Sequence, residues 1–376
     1  MVTSLPGSTG EQCNTHRFAK MSSSTIQNTT PIVVTGASGY IAGWLVRYLL
    51  EAGHTVHGTV RDPNCMERVK HLHKIAEGLP GTLRLFAADL LREGSFDDAM
   101  QGCEIIMHTA SPFLLDGFTD AKEALIRPAV EGTRNILEAS NRIPSIRRVV
   151  LTSSIAAIYG DTIDARDIPG NLLDETHWNT SSSLDHNPYQ YSKVAAEREA
   201  WRIQQGQSRW HLVTINPGVA FGPSLTTLSQ SASIDTLISM GDGRLRTGVP
   251  DLTYGVVDVR DVARAHILAA TTREASGRYI LVAEEMDMLT MATILRNRFG
   301  NSYPLPRTTI PKFIVWMMGP LMGPITRRFV RNNIGYPVRF DNRRSLALGV
   351  QYNPIQQTLE EHFQQVIDDG LLKKRK

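Results

Sequence analysis

Short apolar runs alternate with amphipathic segments over most of the chain. Ile32 to Val34 is an uninterrupted apolar run, which is typical of a strand buried on both faces of a parallel sheet, and a helix-like stretch from Trp44 to Glu51 follows it. Further strands are predicted at Thr55 to Val60, Leu83 to Ala88, Ile105 to His108, Arg148 to Leu151 and Arg278 to Val282. Strands that alternate with helices predict an α/β fold with a doubly wound parallel sheet.

The pattern loosens after Phe221, and this change predicts a second, smaller structural unit. The sheet-forming domain is predicted to span residues 30–215, with residues 256–283 returning to it. Residues 216–255 and 284–376 are expected to form a smaller, mainly helical C-terminal domain. Residues 1–29 are rich in Ser, Thr, Gly and Asn and lack an apolar segment, so they are predicted to be a disordered leader.

The longest apolar segment runs from Phe313 to Met322 and is interrupted by Gly319-Pro320. It is shorter than the run of about 18 apolar residues that a membrane span needs, so no transmembrane helix is expected and a membrane is not an expected partner. Two interpretations of the segment remain. It is either a patch that faces a membrane or a substrate tunnel, or a buried helix of the smaller domain, and the buried helix is favoured.

The turn between the first predicted strand and helix has the spacing of a dinucleotide-binding site. Gly36 permits a sharp turn, Gly39 lets backbone N–H groups approach a pyrophosphate, and the small Ala42 lets the helix pack closely on the strand. Strand, turn and helix occur in the order that a Rossmann fold requires, which predicts a dinucleotide site here. The predicted cofactor-binding residues of this turn are Thr35, Gly36, Ser38, Gly39, Tyr40 and Ile41.

The end of the second predicted strand favours NADP(H) over NAD(H). A site that prefers NAD commonly carries a carboxylate there, whereas this strand ends in uncharged residues followed by Arg61. A guanidinium suits the 2′-phosphate of NADP, and Arg68 could add a second positive contact. The alternative for Arg61 is a solvated ion pair with Asp62.

Two further strand ends contribute candidate cofactor contacts. Asp89 and Leu90 follow the third strand, where the carboxylate can accept a hydrogen bond from the adenine amino group or can instead cap a helix. The small residues Thr109, Ala110 and Ser111 follow the fourth strand and let the backbone lie near the cofactor's ribose. All of these turns lie at the carboxyl ends of parallel strands, where open α/β sheets bind their ligands.

Candidate catalytic residues occur in the segment Tyr189-Gln190-Tyr191-Ser192-Lys193. Tyr189 and Lys193 are four residues apart, so on a helix their side chains share one face. A phenol has a pKa near 10, and a neighbouring ammonium together with a positive nicotinamide ring would stabilise its phenolate, which makes Tyr189 a usable proton donor to a carbonyl. Tyr191 has no lysine four residues later and is predicted to pack.

Composition excludes several other classes of function. The formal net charge of +3 is close to balance, and no segment interleaves basic and aromatic residues, so nucleic acid is not an expected partner. Cys13, Cys65 and Cys103 lie far apart, which argues against a disulfide framework and against a metal site. A reduced, cytoplasmic protein is therefore expected.

Eight motifs in order give the chain a resemblance to a known family. They are VTGASGYIAG at 34–43, TVRDP at 59–63, AADL at 87–90, HTASPF at 108–113, LTSSIAAIYG at 151–160, YQYSK at 189–193, INPGVAFGP at 215–223 and VVDVRDVARAH at 256–266. From Pro31 to Leu372 the sequence resembles the extended short-chain dehydrogenases/reductases of the NAD-dependent epimerase/dehydratase family. Within them it is similar to the dihydroflavonol-reductase-like group, which includes cinnamoyl-CoA reductases and yeast-type aldehyde and ketone reductases.

This resemblance implies roles for further residues. The family's catalytic serine matches Ser154, which would hydrogen-bond the substrate carbonyl oxygen, and Ser153 is the alternative if the register differs by one residue. Pro217 and Gly218 match the loop that lies against the nicotinamide, and Lys193 matches the lysine that holds the nicotinamide ribose. The resemblance also implies that the chain can form a homodimer. The Ser, Thr and Gly residues of the segment 224–255, with one helix-like stretch, suit a substrate-side lid, so the smaller domain is expected to bind the substrate.

The favoured functional hypothesis is an NADPH-dependent oxidoreductase that reduces an aldehyde or ketone, or oxidises the corresponding alcohol, with a small molecule as its partner. A 3β-hydroxysteroid-type dehydrogenase and a nucleotide-sugar epimerase or dehydratase are the enzymatic alternatives. The non-enzymatic alternative is a regulator that senses NADP without turnover. Such regulators usually lack the Tyr/Lys pair, which this chain retains.

Overall fold

The computed structural model of the protein describes residues 30–111, 120–227, 231–319 and 325–372. The predicted leader at 1–29, Pro112 and Phe113 of the fourth motif, and residues 373–376 therefore lie outside the described residues. A π-helical turn, Lys122–Ile126, precedes the fourth helix, and three 3₁₀ turns follow the fifth strand.

The described strands and helices alternate along the first part of the chain. The strands are β1 Ile32–Thr35, β2 Thr55–Val60, β3 Thr82–Ala87, β4 Ile105–His108, β5 Arg148–Thr152, β6 Leu172–Leu173, β7 His211–Pro217, β8 Val219–Phe221, β9 Thr253–Asp258, β10 Gly277–Leu281, β11 Glu284–Asp287 and β12 Arg339–Phe340. The helices are α1 Tyr40–Glu51, α2 Met66–Ala76, α3 Asp97–Met100, α4 Arg127–Arg142, α5 Pro188–Gln205, α6 Ala232–Gly241, α7 Val259–Thr271, α8 Met288–Phe299, α9 Lys312–Met318, α10 Arg327–Asn333, α11 Arg343–Ala347 and α12 Ile355–Asp368.

A parallel sheet forms the centre of the molecule, with the strand order β10-β7-β5-β4-β1-β2-β3 in the described residues. Successive strand residues point to opposite faces, and both faces are covered by helices. In β1, for example, Ile32 and Val34 pack in the cluster that contains α1 and α7, whereas Val33 packs in the cluster that contains α4 and α5. Burial on both faces explains why these strands are uninterrupted apolar runs and confirms the predicted doubly wound Rossmann sheet.

The smaller unit is built on β8, β9 and β11, which form a three-stranded sheet beside the central one. Strand β9 pairs parallel to β8 and antiparallel to β11. Two elements of the segment 256–283 belong to the larger unit. Strand β10 joins the central sheet, where it pairs parallel with β7, and helix α7 covers one face of that sheet. Helices α6, α8 and α12 cover the smaller sheet with an apolar cluster that includes Leu237, Leu295 and Phe363.

The structure places α9 on the surface rather than in the core. Within the described part of the segment 313–322, Phe313, Trp316, Met317 and Met318 are exposed and only Val315 is a buried apolar side chain. The favoured expectation of a buried helix is therefore wrong, because Val315 alone packs into a neighbouring apolar cluster while the larger apolar side chains of this short helix face outward. No helix in the described ranges has the length and apolar character to cross a bilayer.

Candidate active site

The glycine turn after β1 has the backbone geometry that its sequence predicted. Gly36 has a φ of +64°, and a Cβ atom there would lie 3.0 Å from the Cα of Ala110. The Gly39 N–H donates to the Gly36 carbonyl (2.8 Å), and the Ala37 N–H donates to the Thr59 carbonyl (2.9 Å). A larger residue at position 36 would therefore be strained and would collide with the loop after β4.

Helix α1 begins directly after this turn, with Gly39 as its N-cap residue. Tyr40 and Ile41, predicted as part of the turn, form the first turn of the helix, which begins four residues earlier than the sequence indicated. The N-cap residue makes no side-chain capping hydrogen bond, and the first turn contains no acidic residue. The positive end of the helix dipole is thus not neutralised by a carboxylate of its own first turn and suits a pyrophosphate.

Thr35 connects the glycine turn to the loop that follows β4. Its hydroxyl oxygen accepts hydrogen bonds from the N–H groups of Thr109 (3.1 Å) and Ala110 (3.0 Å), and it lies 2.8 Å from Nδ1 of His108. Burial, together with the nearby Lys193, lowers the pKa of His108 to about 3, so this histidine is neutral. The small residues after β4 are therefore held against the glycine turn, at the edge where a cofactor would lie.

Arg61 follows the last residue of β2 and is exposed. The alternative ion pair with Asp62 does not form, since the Asp62 carboxylate accepts the Asn64 N–H (2.9 Å) and no ion pair within the described ranges includes Arg61. Arg68 is also exposed and lies in the first turn of α2, where a cation opposes the helix dipole. Both guanidiniums are thus available to a phosphate group, which fits a cofactor with a 2′-phosphate.

Asp89 and Leu90, after β3, have local structural contacts. The Asp89 carboxylate accepts the Leu91 N–H (2.8 Å) in a turn, and no helix begins at Asp89, so its alternative role as a helix cap is not present in the structure. The Leu90 carbonyl accepts a hydrogen bond from Nδ2 of Asn135 on α4 (2.7 Å). Asp89 is exposed at the same sheet edge as the glycine turn, so a contact with adenine stays a prediction.

Tyr189 and Lys193 lie one turn apart near the start of α5, with the Lys193 Nζ 5.6 Å from the centroid of the Tyr189 ring. The Lys193 ammonium donates a hydrogen bond to Oγ of Ser111 (2.9 Å), which connects α5 to the loop after β4. Burial raises the pKa of Tyr189 to about 12 and lowers the pKa of Lys193 to about 8. The sequence suggested that the neighbouring ammonium would lower the pKa of Tyr189. In this structure the loss of solvent around the phenol raises that pKa by more than the ammonium could lower it.

The two serines that follow β5 point into different surroundings. Ser153 is buried and donates a hydrogen bond to the Glu197 carboxylate (2.5 Å), so it faces the core. Ser154 is partly exposed, and its Oγ accepts the Ala156 N–H (3.1 Å) at the start of a 3₁₀ turn that packs on α5. A hydroxyl that accepts one hydrogen bond can still donate its own proton, so Ser154 can serve a substrate oxygen and Ser153 cannot.

Sequence analysis missed Glu197, which lies one turn after Lys193 and is buried. Its carboxylate pairs with Arg278 of β10 (2.6 Å) and also accepts hydrogen bonds from Ser153, Thr214, Asn216 and Trp201. Asn216 in turn donates to the Ser154 carbonyl (3.1 Å). This network fixes α5 against β5, β7 and β10. The spacing 189, 193, 197 could have indicated a shared helix face, but the ion-pair partner Arg278 is 81 residues away in the sequence.

Pro217 is the last residue of β7, and Gly218 follows it at the same edge of the sheet. The Gly218 N–H donates to the Leu281 carbonyl (3.0 Å), and a Cβ at Gly218 would lie 2.7 Å from the carbonyl carbon of Gly255. Close packing of two backbone segments therefore explains glycine at this position. Contact with a nicotinamide stays a prediction for both residues.

Helix α7, after β9, is held by a capping residue and by a buried histidine. Asp258 is the N-cap, because its side chain accepts the Arg260 N–H (2.7 Å). His266 is buried between the Thr152 hydroxyl (2.6 Å) and the Val262 carbonyl (2.8 Å), so it packs inside the fold.

All strands of the central sheet run in parallel, so the segments that follow β1 to β5 and β7 meet at one edge. The glycine turn and Arg61 therefore share that edge, and the hydrogen bond from Lys193 to Ser111 places the Tyr/Lys pair beside it. The donors and cations of this edge fit NADPH. A dinucleotide site with a tyrosine and a lysine beside it defines the class of Rossmann-fold oxidoreductases.

Comparison with known proteins places the chain within this class. Residues 32–283 match the NAD dependent epimerase/dehydratase family. Cinnamoyl-CoA reductase CAD2 of Medicago truncatula is 42% identical over 74% of this chain and 83% of its own length. The anthocyanidin reductase ((2S)-flavan-3-ol-forming) of Vitis vinifera is 35% identical over 73% of this chain and 82% of its own length.

Solved structures agree with the sequence relatives. Gre2 of Candida albicans in complex with NADPH has a TM-score of 0.72, at 27% identity over 90% of this chain and 99% of that one. Yeast methylglyoxal/isovaleraldehyde reductase Gre2 complexed with NADPH also has a TM-score of 0.72, at 27% identity over 91% of this chain and 100% of that one. The chain therefore belongs to the NAD dependent epimerase/dehydratase family and, within it, to the dihydroflavonol-reductase-like extended reductases.

Replacing Arg61 with Ala is expected to weaken NADPH binding by about ten- to a hundred-fold and to leave NADH binding nearly unchanged. The reason is that a guanidinium forms charge-assisted hydrogen bonds to a 2′-phosphate, which NADH lacks. Titration of both cofactors by fluorescence checks the result. The matched control is Lys74→Ala, which removes an exposed cation near the C-terminal end of α2, away from the end of β2 where Arg61 lies. Equal loss for both cofactors would contradict the assigned role of Arg61.

Proposed function

We propose that this protein uses NADPH to reduce an aldehyde or ketone to the alcohol, or catalyses the reverse reaction, with Tyr189 as the proton donor. The observation that carries the proposal is the pair of Tyr189 and Lys193 on α5, beside the glycine turn and the loop after β4. The relatives named as reductases and the neighbouring structures in complex with NADPH support it.

Each catalytic side chain has a definite task in this proposal. NADPH, when bound, supplies the hydride that is added to the carbonyl carbon. Ser154 donates a hydrogen bond to the carbonyl oxygen, and Tyr189 delivers its Oη proton to that oxygen as negative charge develops there. Because burial raises the pKa of Tyr189 to about 12, the phenol holds its proton at neutral pH, which is the state that reduction requires. Lys193 orients the nicotinamide ribose and stabilises charge on the phenol oxygen.

Residues 216–255 and 284–376 are proposed to form the substrate-binding region, and residues 30–215 with 256–283 the NADP-binding domain. Strand β8 supports this division, because it starts two residues after Pro217, at the edge where the glycine turn and α5 lie. Substrate would then be bound between that edge and the sheet formed by β8, β9 and β11.

A cytoplasmic location and a homodimer are also proposed. Cys65 and Cys103 are free thiols, which suits a reducing compartment. The homodimer rests on the family resemblance alone, and light scattering of the purified protein tests it directly.

A panel of carbonyl compounds tests the proposed function against its alternatives. Loss of NADPH absorbance is measured with methylglyoxal, isovaleraldehyde and other aldehydes and ketones. The reverse reaction is measured with a 3β-hydroxysteroid and NADP, and a nucleotide sugar is tested for conversion. Reduction of any aldehyde or ketone supports the proposal. Oxidation of the steroid alone would favour the steroid dehydrogenase, conversion of a nucleotide sugar would favour the epimerase, and NADPH binding without any turnover would favour the sensing regulator.

The rate of reduction is expected to fall as the pH rises through about 8. The pKa of Lys193 is lowered to about 8 by burial, so the ammonium is charged below that pH and becomes neutral above it. Tyr189, with a pKa of about 12, still holds its proton there and does not cause the decline. A profile of kcat/KM against pH measures the effect. In Lys193→Arg the guanidinium stays charged, so the decline near pH 8 should disappear even if the overall rate is lower. An unchanged decline in this variant would rule out Lys193 as its origin.

A further inference from the structure

Four large apolar side chains form an exposed apolar patch on α9. Their exposed fractions are 68% for Phe313, 44% for Trp316, 56% for Met317 and 41% for Met318. Single exposed apolar residues are common on protein surfaces, but positions 313, 316 and 317 share one face of the helix by their spacing and position 318 follows directly. Apolar patches of this kind mark interaction sites. None of the four belongs to the cofactor edge described above.

Helix α9 packs firmly against α10 on the side opposite the patch, so the exposed side chains do not indicate a loosely attached helix. Val315 of α9 is buried in a cluster with Leu252, Val330 and Ile334, and Val330 lies on α10. Lys312 also donates hydrogen bonds to the carbonyls of Arg331 (3.1 Å) and Ile334 (2.8 Å), which fixes the start of α9 to the end of α10. The two helices are thus one structural unit with an apolar inner side and an exposed outer side.

Helix α10, which packs against α9, carries three exposed arginines, namely Arg327, Arg328 and Arg331. The Arg327 guanidinium stacks on the Trp316 ring, with its carbon 4.4 Å from the ring centroid, which connects the basic residues to the apolar ones. Within the described part of the chain, none of the three forms an ion pair. From Met288 to Phe340 the sequence contains eight lysine and arginine residues and no aspartate or glutamate.

This combination of groups decides what can cover the patch. A second copy of the chain in a two-fold contact would bring both sets of arginines into one interface, because the same surface is used on both sides. Residues 288–340 contain no carboxylate that could neutralise them there. An anionic lipid surface complements the guanidiniums, and it accepts Trp and Phe side chains at the depth of its headgroups. We propose that the apolar patch of α9 and the three arginines of α10 dock on the surface of an anionic phospholipid bilayer.

Docking would also set the orientation of the active site. Asp161 accepts hydrogen bonds from Asn332 (2.9 Å) and Asn333 (2.6 Å) at the end of α10, and from Asn187 (2.9 Å) just before α5. The start of the helix that carries Tyr189 is therefore connected to the docking helices through one buried carboxylate. A docked molecule holds that end of α5 near the bilayer.

The test is co-sedimentation of the full chain with vesicles of phosphatidylcholine alone and with vesicles that also contain phosphatidylserine. We expect the protein to pellet with the anionic vesicles, to remain in solution with the neutral ones, and to be released as salt is raised. Arg328→Glu with Arg331→Glu should weaken binding by about thirty-fold or more, because each basic residue near such a surface contributes about a fivefold factor. Phe313→Ser with Trp316→Ser should weaken it by about tenfold or more.

Two matched controls make the result specific. Lys70→Glu with Lys74→Glu changes the net charge equally on α2, and Met66→Ser with Leu346→Ser removes exposed apolar side chains elsewhere. Failure of the wild type to pellet with anionic vesicles, or equal losses in the controls, would overturn the proposal. So would a change from dimer to monomer in the patch variants, which would assign the face to a second copy. Binding is measured without substrate, so its failure is distinct from a failure of the proposed reductase activity.

Discussion

Replacing Tyr189 with Phe is expected to lower turnover by about two to four orders of magnitude, the usual contribution of a positioned general acid. The substitution removes one oxygen atom and keeps the ring, so the packing of α5 and the affinity for NADPH should be nearly unchanged. Steady-state kinetics with any substrate that the panel identifies measures kcat and KM, and a separate titration measures the cofactor affinity.

Tyr191→Phe is the matched control for this experiment. Tyr191 lies on the same helix, two residues later, and residue 195 is alanine rather than lysine. Its loss of a hydroxyl should change turnover only a few-fold. If Tyr189→Phe retained activity within a few-fold of wild type, or if Tyr191→Phe were the inactive variant, the assignment of the proton donor would be wrong.

Replacing Glu197 with Ala is expected to lower the free energy of unfolding by about 3–5 kcal/mol, a large share of the total stability of an ordinary domain. Removal of the carboxylate leaves the guanidinium of Arg278 buried without its charged partner, and it removes the acceptor of four further hydrogen bonds. Urea denaturation of the two proteins at neutral pH measures the difference.

Two further variants test whether the loss of stability comes from the buried ion pair between Glu197 and Arg278. Glu51→Ala breaks an exposed ion pair with Arg47 and should cost less than about 1 kcal/mol. The double variant Glu197→Leu with Arg278→Met replaces the pair by apolar residues and should recover part of the lost stability, because no unpaired charge stays buried. A Glu197→Ala protein as stable as Glu51→Ala would show that the network does not stabilise the position of α5.

The cofactor edge was predictable because its signals are local in sequence. The apolar run of β1, the glycines at 36 and 39 and the arginine after β2 are each defined by neighbouring residues, and parallel strands bring their ends to one edge. The bounds were less accurate, because the first turn of α1 contains Tyr40 and Ile41, which a turn motif does not distinguish from a loop.

The surroundings of the catalytic helix depend on contacts between distant parts of the chain. Glu197 pairs with Arg278, 81 residues away, and Asp161 binds Asn333, 172 residues away, so no local pattern could indicate either contact. The pKa of Tyr189 was expected to fall beside Lys193, but burial by the folded chain raises it to about 12. Desolvation is a property of the whole fold rather than of the spacing between two residues.

The sequence by itself determined the doubly wound fold, because the period of the apolar residues predicts the strands and helices. It also determined the dinucleotide turn, the Tyr/Lys pair and the membership of a reductase family, because short motifs identify each of them. Only the tertiary structure decided that Ser153 faces the Glu197 network while Ser154 does not, and that the apolar side chains of α9 are exposed. Both outcomes depend on which surfaces pack together. Packing is set by contacts between segments far apart along the chain, whereas motifs report only their own neighbourhood.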